Sequence, residues 1–79
     1  MEELNSIIIE GVVRDVLPLQ TITGFKIIHQ EREYDCEIFG ELKKELSDKI
    51  DGKRIRIVGK LIHRCYGLRI KAEHIEIIG

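Results

Sequence analysis

Apolar and polar residues alternate along most of this chain, and the places where the alternation breaks divide it into elements. Residues 7–16 are rich in β-branched side chains, which suit a strand, and Pro18 stops that strand because proline cannot donate to a ladder. Ile7, Ile8 and Ile9 are apolar on both faces, which predicts burial on both sides over part of its length. Gly11 in its middle predicts a bulge or a sharp bend. A second strand covers residues 25–30, entered through Thr23 and Gly24. A third follows a short polar turn around Glu31. In the third, Tyr34, Cys36 and Ile38 share one face, while Glu33, Asp35 and Glu37 share the other and Phe39 ends it.

From Glu41 the period changes. Leu42, Leu46 and Ile50 recur every fourth residue while Lys43, Lys44, Glu45, Asp48 and Lys49 face away, so residues 41–50 read as one short amphipathic helix. Glu45 and Lys49 sit at the favourable i,i+4 offset, and Gly52 is placed to stop the helix in a left-handed conformation. Residues 54–61 alternate again, with Ile55, Ile57 and Leu61 on one face. A tight turn near Cys65, Tyr66 and Gly67 leads into a last strand through residues 68–78.

The order is three strands, one helix and two strands. Five strands left open in so short a chain would expose an apolar face and two edges. Closing the sheet removes the edges, and Leu42 and Leu46 can plug one mouth of the resulting barrel. This is the layout of the oligonucleotide-binding (OB) barrel, an all-β fold with its helix between the third and fourth strands. Seventy-nine residues fit one such domain, 1–79.

Thirteen basic and fourteen acidic residues give a net charge of -1, so any attraction for phosphate must come from a local patch. Two cysteines, Cys36 and Cys65, are too few for a disulfide framework, and the sequence shows neither a signal peptide nor an apolar run of the roughly 20 residues that span a bilayer. A cytoplasmic protein with reduced thiols and no membrane association is expected.

Four segments carry a family resemblance: Asn5 to Gly11, Ile38 to Leu42, Gly52 to Leu61 and Ala72 to Ile78. In this order they resemble the bacterial single-stranded-DNA-binding protein family, and the stretch from Gly67 to Ile78 is also similar to the primosomal replication protein, a small dimeric OB barrel. The resemblance implies a non-catalytic protein of replication or repair that binds single-stranded DNA, with RNA as the alternative, as a homodimer or homotetramer. The departures are specific. The family's longer loop between strands four and five shrinks here to a turn, and the flexible linker with an acidic tip is not seen before Gly79. Arg14-Asp15 falls one residue early. Glu33 stands where the family often has a stacking aromatic, whereas Phe39 matches a stacking position.

Single-strand binders combine a basic track with aromatic platforms. By alternation Phe25 and Tyr34 point inward, leaving Phe39 and Tyr66 as platforms. The competing readings are that Phe39 packs under the helix or in an oligomer contact and that Tyr66 is only a turn residue. Lys26, Arg54, Arg56, Lys60, Arg69 and Lys71 point outward. Strand three lies between strands two and five in an OB barrel, so Glu33, Asp35 and Glu37 should pair with Lys26, Arg69 and Lys71. That leaves Arg54, Arg56 and Lys60 on strand four, further from the acids, as the expected phosphate ligands, with Phe39 stacking a base and Lys26 and Arg69 assisting.

A metal site from His63, Cys65 and His74 is not expected, because a turn near Cys65 sets His74 opposite residues near Ile57, well over ~10 Å from His63 at about 3.3 Å per residue. Ser6 and Ser47 have no neighbouring histidine and the glycines form no phosphate cradle, so neither catalysis nor a cofactor is expected. The acidic third strand, the few aromatics and the missing tail motivate a second reading. In it the protein is an interaction module that has kept the barrel and lost the nucleic acid.

Overall fold

A computed structural model describes residues 6–79; Asn5, which opens the first family-like segment, lies outside them. The elements are β1 (Ser6–Pro18), β2 (Ile22–His29), β3 (Arg32–Phe39), α1 (Gly40–Leu46), β4 (Arg54–Arg64) and β5 (Gly67–Ile77). They form a closed barrel in the order β1-β2-β3-β5-β4, which is the OB layout. All neighbours run antiparallel except β3 and β5, which are parallel and paired at Cys36↔Ile70 and Glu37↔Lys71.

β1 closes the barrel because it has two partners in succession. Residues 6–12 pair with β4 and residues 12–18 with β2, Val12 serving both. Gly11, just before the changeover, is not at a bulge. A Cβ there would run into the Ile28 carbonyl, so glycine is what lets β1 lie against β2. The register shift falls later, between Arg14 and Leu17, where Asp15 has a φ of 56°. Ile8 is 70% exposed, against the expectation of two-sided burial, because a single-layered barrel has one interior and Ile8 points out of it beside Val58.

Phe25, Cys36, Ile38, Ile55 and Ile57, all expected on inward faces, do lie in the interior. Val13, Ile27, Ile38, Ile55 and Ile57 are fully buried, with Phe25, Cys36, Ile70 and Ala72 nearly so. Each large apolar side chain here contributes about 1.5–3 kcal/mol of transfer free energy. Leu61, expected in the same row, is 39% exposed. It lines a cavity of about 440 Å³ with Ile7, Tyr34, Leu68 and Ile70, at the end of the barrel away from α1.

The helix plugs the other end but is shorter than residues 41–50. It stops at Leu46, where the Ser47 hydroxyl donates to the Lys43 carbonyl (2.7 Å) and lies 2.6 Å from the buried Thr23 hydroxyl. Serine so engaged competes with continuation of the helix. The chain then turns, so that Ile50 enters the core fully buried with Leu42 and Leu46 packed behind it. Gly52 does adopt a left-handed φ of 77°, but in the turn before β4 and not as the helix stop the sequence predicts, because α1 has already ended at Leu46.

Candidate nucleic-acid interface

Outward side chains of β2, β3 and β5 form the floor of a cleft of about 350 Å³. Its walls come from the two ends of hairpins. Leu17 and Leu19, both more than half or about half exposed, flank Pro18 on one side, and Tyr66 at the β4–β5 turn, 62% exposed, stands on the other. Gly24 and Phe25 belong to the floor, together with Lys26, Asp35, Glu37 and Arg69.

Asp35 is the centre of that floor. Lys26, its direct cross-strand partner, donates from Nζ to Oδ1 at 2.9 Å, and Arg69 donates from Nη1 to Oδ2 at 3.2 Å. Strand β3 does lie between its basic neighbours, so this part of the acidic row pairs as the alternation predicts. The hydrogen bond from Lys26 to Asp35, reinforced by the carboxylate's charge, raises the lysine above its ordinary value and keeps it protonated. The Arg69 guanidinium also lies 4.6 Å from the centroid of the Tyr66 ring and so braces that wall by a cation–π contact.

Glu37 is different. It points outward by alternation and yet is 2% exposed. Its expected partner Lys71 lies instead 4.7 Å from the Phe39 ring centroid. The carboxylate is held by one edge of the Arg64 guanidinium, Nη2 to Oε1 at 2.6 Å and Nε to Oε2 at 3.1 Å. In the barrel β5 separates β3 from β4, so Arg64 reaches across that strand and ties the hairpin tip beside the cleft.

Among the strand-four cations, Arg56 departs from the expectation. Arg56 was to be far from acid, but the register sets it between Glu10 on β1 and Glu76 on β5. Its Nε and Nη2 donate to Glu10 Oε2 at 2.9 and 2.7 Å, and its Nη1 to Glu76 Oε1 at 3.1 Å. Pairing on strand four was judged against the third strand alone, and the first and fifth supply the carboxylates. Arg54 lies by the chain's last residue, its backbone N–H donating to the Gly79 carbonyl, and Lys60 sits between Ser6 and Lys71 in the ladders. None of the three lines the cleft.

Of the six residues expected to bind, Lys26 and Arg69 therefore come together in the cleft. Phe39, 39% exposed, caps the start of α1 and pairs with Ile22 at the cleft's edge. The residues that sequence reasoning passed over are Leu17, Leu19 and Arg64, and Tyr66 had been weighed chiefly as a turn residue. The available signal was two leucines flanking a proline and a tyrosine beside a turn glycine, apolar groups where loops are ordinarily polar. Among the described residues no group of three His, Cys, Asp or Glu is placed to hold a metal ion. None of their helices is long and apolar enough to cross a membrane.

No protein-family model matches the sequence, and no curated protein matches it either. Solved structures do. The chain is similar to a subunit of a replication protein A heterotrimer bound to single-stranded DNA, with a TM-score of 0.78 at 15% identity, covering 99% of this chain and 61% of that one. It therefore spans about three fifths of that subunit's length. The second OB-fold domain of replication protein A from Methanococcus maripaludis gives 0.75 at 17% identity, covering 92% and 83%. A small single-stranded-DNA-binding protein from Mycoplasma pneumoniae gives 0.66 at 20% identity, covering 94% and 93%. At these identities the likeness is one of fold: the chain is an OB barrel.

Proposed function

We propose that this protein binds single-stranded nucleic acid, DNA in the first place, in the cleft over β2, β3 and β5, and that it does so without catalysis in replication or repair. The observation that carries the reading is the cleft itself. Two cations share one carboxylate on its floor, an exposed tyrosine and two exposed leucines form its walls, and the barrel is of the kind described in complex with single-stranded DNA. Positive charge along a groove attracts the backbone, and an aromatic wall supplies a stacking surface worth about 1–3 kcal/mol per base. The resemblance to bacterial single-stranded-DNA-binding proteins supports the same reading. A single cleft of this size binds weakly, so assembly into a homodimer or homotetramer would raise affinity by linking sites.

The test is fluorescence anisotropy with labelled dT oligonucleotides over a range of salt. Binding that weakens with salt, at roughly 0.7 log units per tenfold salt for each phosphate contact, is expected. No binding at ~100 µM, or binding indifferent to salt, rejects the reading.

One observation favours the interaction-module reading instead. Ile8, Leu61 and Leu68 are exposed apolar residues on or near the barrel's open end. That reading predicts an assembly which buries them and ignores oligonucleotide. A monomer by sedimentation that binds oligonucleotide tightly rules it out.

A further inference from the structure

We infer that the carboxylates of β3 hold the β4–β5 hairpin tip over the sheet, and that Arg64 is a positioning residue which sets the Tyr66 wall before any strand arrives. This rests on the proposed single-strand binding in the same cleft. A surface meant only for phosphate has no use for carboxylates, which repel it. Yet Asp35 and Glu37, on the same outward row of β3, each take an arginine from one strand of the hairpin. Arg64 of β4 grips Glu37, and Arg69 of β5 donates to Asp35 at 3.2 Å.

Only Cys65 and Tyr66 lie between Arg64 and Gly67, which face each other across the β4–β5 ladder. A turn so short has little freedom once its flanks are anchored. Arg69 adds a restraint from the second flank, its Nη1 also donating to the Leu68 carbonyl at 3.0 Å and its guanidinium lying 4.6 Å from the Tyr66 ring centroid. Tyr66 itself stays 62% exposed, so the ring is braced without being covered.

The two grips differ in what they can release. Asp35 keeps 39% of its side chain exposed, so water can stand in for Arg69 there when the arginine turns to a phosphate. Glu37 keeps 3%, and among the described residues Arg64 alone donates to its carboxylate. Moving Arg64 onto a phosphate would strand a buried charge, which is costly. Arg64 therefore acts through Tyr66 and not on the backbone of the strand. A wall already in place spares the ordering cost that binding otherwise carries.

The experiment pairs NMR relaxation on the free protein with dT octamer binding by the wild type, Arg64→Ala, Tyr66→Ala, the double variant and Glu37→Gln, each shown by urea unfolding to be folded under the binding conditions. In the free wild type the amides of residues 65–67 should be as ordered as the strands, with order parameters of about 0.85, and should fall below about 0.6 in Arg64→Ala. Arg64→Ala should weaken dT binding by roughly the tenfold expected for loss of one stacking surface. The double variant should bind no worse than Tyr66→Ala, because both changes remove the same contact. The salt slope should not change. Glu37→Gln takes a negative charge out of the cleft, which by charge alone tightens binding, yet by loosening the grip it should weaken it.

A mobile tip in the free wild type overturns the inference, and so does tighter binding by Glu37→Gln. Losses that add in the double variant, with a salt slope lower by about 0.7, also overturn it, since Arg64 then contacts phosphate directly. Each of these outcomes leaves the proposed function intact. Should Arg64→Ala fail to fold, the wild-type order parameters and Glu37→Gln decide. If the wild type does not bind dT at all, the proposed function fails and the inference with it.

Discussion

Two sets of cations lie on different sides of one barrel and meet acid in opposite proportions. On β4, Arg56 is a single cation between two carboxylates, Glu10 and Glu76. In the cleft, Lys26 and Arg69 are two cations on a single carboxylate, Asp35. The first cluster is left with an excess negative charge, whereas the cleft, which Asp15 and the Arg64-paired Glu37 also line, gathers two cations on Asp35 with no net excess of either sign. A strand's own count of basic residues therefore says little about the field above it. What matters is which carboxylates the neighbouring strands bring alongside.

The comparison is broken or sharpened first by paired variants. Lys26→Ala/Arg69→Ala removes both cleft cations and leaves Asp35 uncompensated, so affinity for an oligonucleotide at low salt should fall about a hundredfold, given about 1.5–3 kcal/mol for each hydrogen bond to a charged group. Arg56→Ala should change affinity by less than about threefold in the same titration. The reverse order of effects would move the site to β4.

Next in size is Arg64→Ala. Glu37 has 3% of its side chain exposed, and the variant strips both donors from it. Breaking a buried pair is costly, and the 41% exposure of Arg64 tempers that cost, so urea unfolding should show a clear loss of stability. Arg56→Ala, on an exposed pair, should lose less stability than Arg64→Ala. Tyr66→Ala comes after it, with stability unchanged and binding weakened about tenfold, within the range for loss of one stacking surface.

The two cysteines give the smallest effects and the same contrast between floor and rim. Burial pushes the Cys36 thiol from its ordinary 9.0 up to about 12, so the folded protein keeps a proton that the unfolded chain begins to release near pH 9. This contribution to stability is complete below pH 9 and is lost as the pH rises toward 12. Between pH 8 and pH 10 unfolding free energy should drop by about 1 kcal/mol, and by less in Cys36→Ala. Cys65 is exposed at the hairpin tip, so a thiol reagent at pH 8 should modify it and spare Cys36.

How much of this was legible in the sequence follows from the range of the interactions. Alternation is local, so the inward rows through Ile27, Ile38 and Ile57 and the pairing of Asp35 with Lys26 and Arg69 could be read from spacing and the expected strand order. Gly11 signalled something unusual, but whether a bulge or a close approach depends on where β2 runs. The helix was read one turn too long because Ile50 keeps the four-residue spacing, while the hydroxyl of Ser47 was already engaged with Lys43 and Thr23. Arg56 was misjudged because its partners lie 46 and 20 residues away, and Arg64 was missed because it crosses a whole strand to reach Glu37. Registers and hairpin folding carry those contacts, and neither is written in any short window.

The most direct test of the cleft as the binding site is an NMR titration of the labelled protein with a short dT oligonucleotide, following backbone amides. Shifts concentrated at Gly24, Lys26, Asp35, Tyr66 and Arg69, with Arg54, Arg56 and Lys60 unmoved, are the predicted result. Shifts that follow β4 and leave the β2–β3–β5 floor silent would contradict it.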